Sequence, residues 1–68
     1  MDFNYSKLKG RIVEKYGTQG KFADALGVHQ LTVSRKLNGE NSFSRNDILT
    51  WAEMLSIDRK DIVSYFFE

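Results

Sequence analysis

The sequence lacks cysteine and proline altogether and has a single histidine among its 68 residues. Without cysteine there is no disulfide and no thiolate metal site, and one histidine cannot build a zinc site alone. We therefore expect no metal and no cofactor. Long hydrophobic runs are also missing, because the longest covers only residues 65–67, whereas a membrane span needs about 20. The N-terminus shows no secretory signal, so we expect a cytoplasmic protein without a membrane partner.

The sequence also lacks a large excess of either sign of charge, since its net charge is only +1. The distribution is uneven: residues 1–39 hold seven Lys or Arg against three Asp or Glu, and residues 40–68 hold three against six. The first part thus carries +4 and the second −3. This asymmetry indicates a basic binding face, although an ordinary solvated surface is an open alternative. With 41% hydrophobic residues and nine aromatics, the chain has enough apolar side chains for a single packed domain over residues 1–68.

Apolar residues recur at helical spacing in five segments, and no stretch alternates as a strand would. Three segments cover about residues 5–16, 19–26 and 30–37, a fourth follows Ser44, and a fifth follows Asp58. Predicted N-terminal caps are Asn4, Thr18, Ser44 with Asp47, and Asp58 with Asp61, and Gly17 and Gly27 are expected to end helices. The sequence predicts an all-α fold, a compact bundle of five short helices with a helix-turn-helix.

The helix-turn-helix is predicted in residues 18–39, where two short helices are joined by a three-residue turn at 27–29. Gly27 tolerates the positive φ that such a turn needs, and Ala23 is small enough for a close approach of the helices. Val28 and Val33 are expected to fill the corner between the helices. The second helix would then project outward, in a form that fits the DNA major groove.

These residues resemble the helix-turn-helix of the λ repressor/Cro-type (XRE-like) family, and in particular its small Cro-like phage and prophage regulators. The resemblance rests on residues 18–19, 27–28 and 38–39 together with Ala23 and Val33, while Gly20 and Lys36 depart from the family's usual pattern. It implies a transcriptional regulator that binds double-stranded DNA sequence-specifically. The recognition helix, about residues 30–37, would lie in the major groove of a (pseudo)palindromic operator bound by a homodimer.

The resemblance and the side-chain chemistry together assign candidate DNA contacts. The base contacts are Gln30, Leu31, Ser34, Arg35 and His29, and the phosphate contacts are Gln19, Lys21, Thr32, Lys36, Asn38 and Arg45. Simpler interpretations stay open for some of them: the lysines as solvated charges, Leu31 as an ordinary exposed leucine, and His29 as a passive turn residue.

A protein-interaction module is the alternative function, for example an anti-repressor or an antitoxin-like subunit that binds a phage repressor or another protein. The low net charge and the aromatic C-terminal residues favour it. Trp51 and Phe66 are expected in the core, whereas Tyr65 and Phe67 are candidate dimer or partner contacts, unless they only close the core. No nucleophile, phosphate-binding or paired-carboxylate motif is present, so we do not expect an enzyme.

Overall fold

The computed structural model describes residues 5–67, and all regular elements within this range are helical. The helices are α1 (Ser6–Tyr16), α2 (Gln19–Leu26), α3 (Gln30–Leu37), α4 (Arg45–Met54) and α5 (Ile62–Phe66), with a 3₁₀ turn at Arg59–Asp61 before α5. The predicted all-α fold of five short helices is confirmed. In the part of the chain described, no helix has the length and apolar character needed to cross a bilayer.

The boundaries of α2 and α4 follow from local capping signals. The hydroxyl of Thr18 accepts the N–H of Lys21 at 3.1 Å, and α2 ends at Gly27 with φ 78°. At the start of α4, Ser44 and Asp47 form a reciprocal capping box, each side chain accepting the other's backbone N–H at 3.0 Å. These caps satisfy backbone donors that the first helical turn leaves without partners, as the sequence predicts.

Two predicted helix starts have a different outcome. The expected cap at Asn4 lies outside the described residues, and α1 begins at Ser6 after Tyr5, whose φ is 54°. The capping box predicted for Asp58 and Asp61 is wrong, because the Asp58 side chain makes no capping hydrogen bond. Instead the N–H of Asp61 donates to the backbone carbonyl of Asp58 at 2.8 Å, which closes a 3₁₀ turn and delays α5 to residue 62.

The core is an aromatic cluster centred on Trp51, which is 3% exposed. Its ring meets those of Phe22 and Phe43 edge to face, with centroids 4.9 Å apart in both pairs, and Phe43 continues the cluster to Phe66 at 5.2 Å. Such edge contacts stabilise a core beyond simple burial of area. The core positions predicted for Trp51 and Phe66 are confirmed. The remaining buried residues are Leu8, Ile12, Ala23, Val33, Leu37, Ala52, Leu55 and Ile57.

Polar contacts of α1 attach the C-terminal segment to the bundle. Arg11 Nη2 donates to the Tyr65 hydroxyl at 2.9 Å, and this hydrogen bond is the main reason that the pKa of Arg11 is raised. Lys15 Nζ donates to Ser56 Oγ at 2.7 Å. Tyr65 is therefore half-buried and bound within the chain, whereas Phe67 is 51% exposed. Of the two candidate partner contacts in this segment, Phe67 is the more accessible.

Candidate functional site

The turn between α2 and α3 brings the two helices together as a rigid corner. Gly27 adopts a left-handed conformation, and the N–H of Val28 donates to the carbonyl of Ala23 at 3.0 Å, which closes the end of α2. Ala23 and Val33 are 1% and 0% exposed. Because this corner is packed, α3 presents its opposite side to the solvent in a fixed orientation.

Val28 does not fill the corner, in contrast to the prediction from the sequence. It is 40% exposed. Gly27 turns the chain outward, and Ala23 and Val33 already occupy the space between the helices, so the Val28 side chain lies at the surface beside Leu26. The turn thus adds an exposed apolar residue next to α3.

His29 has a structural role that the sequence analysis did not identify. Its backbone is extended, and its ring nitrogen Nδ1 accepts the N–H of Leu31 at 3.1 Å, so that the side chain caps α3. The position of His29 immediately before the helix could have indicated this capping role, because a hydrogen-bond acceptor is favoured there. The imidazole is therefore held at the N-terminus of α3 and is still exposed.

The exposed side of α3, here called the α3 face, carries Leu31 and Arg35. They lie one turn apart and opposite the buried Val33 and Leu37, and Leu31 is 49% exposed. Asn38 continues the exposed side at the end of the helix. Helical periodicity predicted this outward orientation, and the structure brings the aliphatic and the basic side chain together there.

Gln30 and Ser34 lie on the flank of α3 that faces α2. A Cβ atom added to Gly20 would be 3.2 Å from Gln30 Oε1, so the Gln30 side chain lies against the first turn of α2. A side chain at position 20 would therefore require the Gln30 amide, which is exposed, to move by a few tenths of an ångström. Ser34 is half-buried.

Lys36 points away from the α3 face and joins α3 to α4. Its Nζ lies 2.8 Å from Asp47 Oδ2, donates to the carbonyl of Ser42 at 3.0 Å and lies 5.6 Å from the centre of the Phe43 ring. The hydrogen bond from Lys36, followed by that from the Ser44 backbone, lowers the pKa of the Asp47 carboxyl. The ammonium assigned to a phosphate is thus engaged within the protein.

The other candidate phosphate contacts are spread over three helices. Gln19 and Arg45 are the first residues of α2 and α4, half-buried and exposed respectively. Lys21 and Asn38 are exposed, whereas Thr32 is half-buried on the flank of α3 that faces α4.

A groove separates that flank of α3 from α4, and we call it the α3–α4 groove. Its volume is about 170 Å³, and its lining consists of Leu26, Val28, Thr32, Lys36, Asn46, Asp47, Thr50 and Trp51. Leu31 and Arg35 are not among these residues. The helix-turn-helix unit therefore offers two neighbouring surfaces, the α3 face and the α3–α4 groove.

This fold and these surfaces define a small all-helical protein built around a helix-turn-helix unit. The chain belongs to the family described as "Protein of unknown function (DUF739)", which matches residues 1–68. This family, and not the λ repressor/Cro-type family that the residues resemble, is the one that the comparison finds. No curated protein matches the chain.

The structure is similar to the solution structure of the modulator of repression (MOR) of the temperate bacteriophage TP901-1 from Lactococcus lactis. The TM-score is 0.88 and the sequence identity 43%, over 100% of this chain and 92% of that one. The similarity therefore extends along the whole chain.

Proposed function

We propose that this protein is a phage regulator that modulates repression by binding a protein partner, a phage repressor. The observation that carries the proposal is the similarity to the TP901-1 modulator of repression, at 43% identity with a TM-score of 0.88.

The surface chemistry supports a protein partner. Affinity for DNA depends on Lys and Arg side chains that neutralise phosphates, but the net charge here is +1 and Lys36 is paired with Asp47. The helix-turn-helix unit also exposes the apolar side chains of Val28 and Leu31, which are 40% and 49% exposed, and a protein partner can cover such side chains.

A direct test is to mix the purified chain with the purified repressor encoded in the same phage genome. We expect a complex of defined mass in size-exclusion chromatography with light scattering, and saturable heat in calorimetry. Titration of the chain into a repressor–operator complex, followed by fluorescence anisotropy of labelled operator, should change the affinity of the repressor for DNA. A repressor that neither binds the chain nor changes its operator affinity would refute the proposal.

Sequence-specific binding of double-stranded DNA, as in a Cro-like repressor, is the second candidate function. The observation that favours it is the placement of Leu31 and Arg35 on the exposed side of α3, where an arginine can donate to guanine O6 and N7. Selection from a randomised duplex library at two salt concentrations tests it. An enriched palindrome would support DNA reading by a dimer, and the absence of both enrichment and salt dependence would exclude it.

Two substitutions distinguish base reading from backbone contact in that assay. Arg35→Ala should cost about 1–3 kcal/mol and relax the preference at one base pair. Gln19→Ala, at the N-terminus of α2, should weaken binding to all sequences similarly, since phosphate contacts carry no sequence information. Uniform weakening by Arg35→Ala would contradict its role as a base contact.

A further inference from the structure

We propose that the α3–α4 groove receives one apolar side chain, the size of leucine or phenylalanine, from an uncharged segment of the protein partner. This inference rests on the proposed function, because it identifies where the partner binds. It places the docking site beside the α3 face rather than on it.

The size of the groove limits its occupant to a single side chain. Its volume is about 170 Å³, and an engineered apolar cavity of about 150 Å³ in another protein accepts benzene. One aromatic ring or one branched aliphatic group therefore fills the space, whereas a whole helix cannot enter it.

The apolar part of the lining comes from three elements that meet there. Leu26 ends α2, Val28 lies in the turn, and Trp51 belongs to α4. Trp51 is 3% exposed and forms the floor, whereas Val28 is 40% exposed at the surface. An apolar side chain placed between them would remove the exposed part of Val28 from water, which favours association.

The charges in the lining favour a polypeptide over a nucleic acid. The two charged lining residues, Lys36 and Asp47, neutralise each other at 2.8 Å. The other polar groups are the hydroxyls of Thr32 and Thr50 and the amide of Asn46, which can donate to or accept from a peptide backbone. A phosphate here would meet the Asp47 carboxylate, and among the lining residues the one ammonium is already paired.

The walls of the groove are held in place before any partner arrives. The ion pair between Lys36 and Asp47 joins α3 to α4, and Asp47 is also fixed by the capping box with Ser44. Trp51 is packed edge to face between Phe22 and Phe43. A site formed in advance loses little conformational entropy on binding, so one inserted side chain can act as the anchor.

The test uses Thr50→Arg, which places a charged side chain at the groove, with Leu49→Arg as the matched control. Both residues are exposed and adjacent on α4, but Leu49 does not line the groove. In calorimetry with the cognate repressor, we expect Thr50→Arg to weaken binding on the order of tenfold or more, as for a central interface contact. Leu49→Arg should bind about as tightly as the wild type. Equal thermal unfolding curves would show that both variants are folded.

Nuclear magnetic resonance of the labelled chain provides a second readout. On addition of the repressor, we expect the largest shift changes at the backbone amides of Val28, Thr32 and Thr50 and at the indole N–H of Trp51. Trp51 is the only tryptophan in the chain, so its indole signal needs no further assignment. Changes centred on Leu31 and Arg35, with an undisturbed indole, would overturn the proposal.

Four other outcomes would also contradict it. If the repressor binds Thr50→Arg as tightly as the wild type, the proposed function stands but the groove is not the docking site. If the repressor does not bind the wild type at all, both fail. If the wild type self-associates and Thr50→Arg is a monomer, or if duplex DNA alone shifts the Trp51 indole, the occupant is a second copy or a nucleic acid.

Discussion

The carboxylate of Asp47 links two helices through a single oxygen, because Oδ2 accepts from Lys36 Nζ at 2.8 Å and from the Ser44 N–H at 3.0 Å. The first contact joins α3 to α4, and the second completes the capping box of α4. The stability of α4 and the position of the groove wall therefore depend on the same side chain.

Asp47→Ala should lower the free energy of unfolding by about 1–2 kcal/mol. It removes the carboxylate half of the capping box, one hydrogen bond of about 0.5–1.5 kcal/mol, and a partly exposed ion pair of about 0.2–1 kcal/mol, whereas the Ser44 hydroxyl still accepts the backbone N–H of residue 47. Urea unfolding followed by Trp51 fluorescence measures the change. Lys36→Met removes the ion pair together with the hydrogen bond to the Ser42 carbonyl and keeps the capping box, so Asp47→Ala added to Lys36→Met should lower stability further by the capping contribution alone. No further loss in the double variant would show that the Asp47 half of the capping box contributes nothing.

Acid should destabilise the fold in part through Asp47. Its pKa is lowered in the folded chain by the hydrogen bonds from Lys36 and Ser44. A lowered pKa means that the ionised carboxylate adds stability above its unfolded pKa, about 3.9. That stability is lost as the pH falls from there through the folded pKa. Unfolding free energies measured down to about pH 2 should decline less for Lys36→Met than for the wild type. Parallel declines would contradict the contribution of the ion pair.

Gly10→Ala should stabilise the protein by about 1 kcal/mol, which is the helix propensity difference between the two residues. Gly10 lies in the middle of α1, and a Cβ atom added there has no atom to meet within 4 Å among the described residues. Gly27→Ala is the matched control. Its φ of 78° is strained for alanine, so this change should destabilise by about 1–2 kcal/mol. Melting temperatures would rise for the first variant and fall for the second, and a fall in both would mean that α1 packs differently.

Local signals allowed much of the fold to be predicted from the sequence. Thr18 and Gly27 specify their helix ends within a few residues, and helical periodicity placed Leu31 and Arg35 outward on α3. What the sequence does not show depends on contacts between residues that are distant in the chain. The hydrogen bond from the Lys36 ammonium to Asp47, eleven positions later, is such a contact, and the phosphate contact of Lys36 stays a prediction.

The sequence alone likewise does not determine which residues are buried at the corner of the helix-turn-helix, or which partner its surface binds. Val28 looked like a core residue by type, but its burial was decided by how Ala23 and Val33 fill the space. The choice between DNA and protein as partner is harder still, because one helix-turn-helix surface suits both. The similarity to a phage modulator of repression favours the proposed protein partner, whereas the motif alone does not distinguish the two.

We expect His29 to cap the N-terminus of α3, so that replacing it lowers the stability of the fold whichever partner the α3 face binds. Its Nδ1 accepts the N–H of Leu31 at 3.1 Å, so His29→Ala leaves that donor without its partner and should cost about 0.5–2 kcal/mol. His29→Asn keeps an acceptor at the same position and should recover most of the loss in urea unfolding. Repressor binding by His29→Asn should match the wild type if the ring only caps α3. A stable His29→Asn variant that binds more weakly would instead show that the imidazole contacts the partner itself.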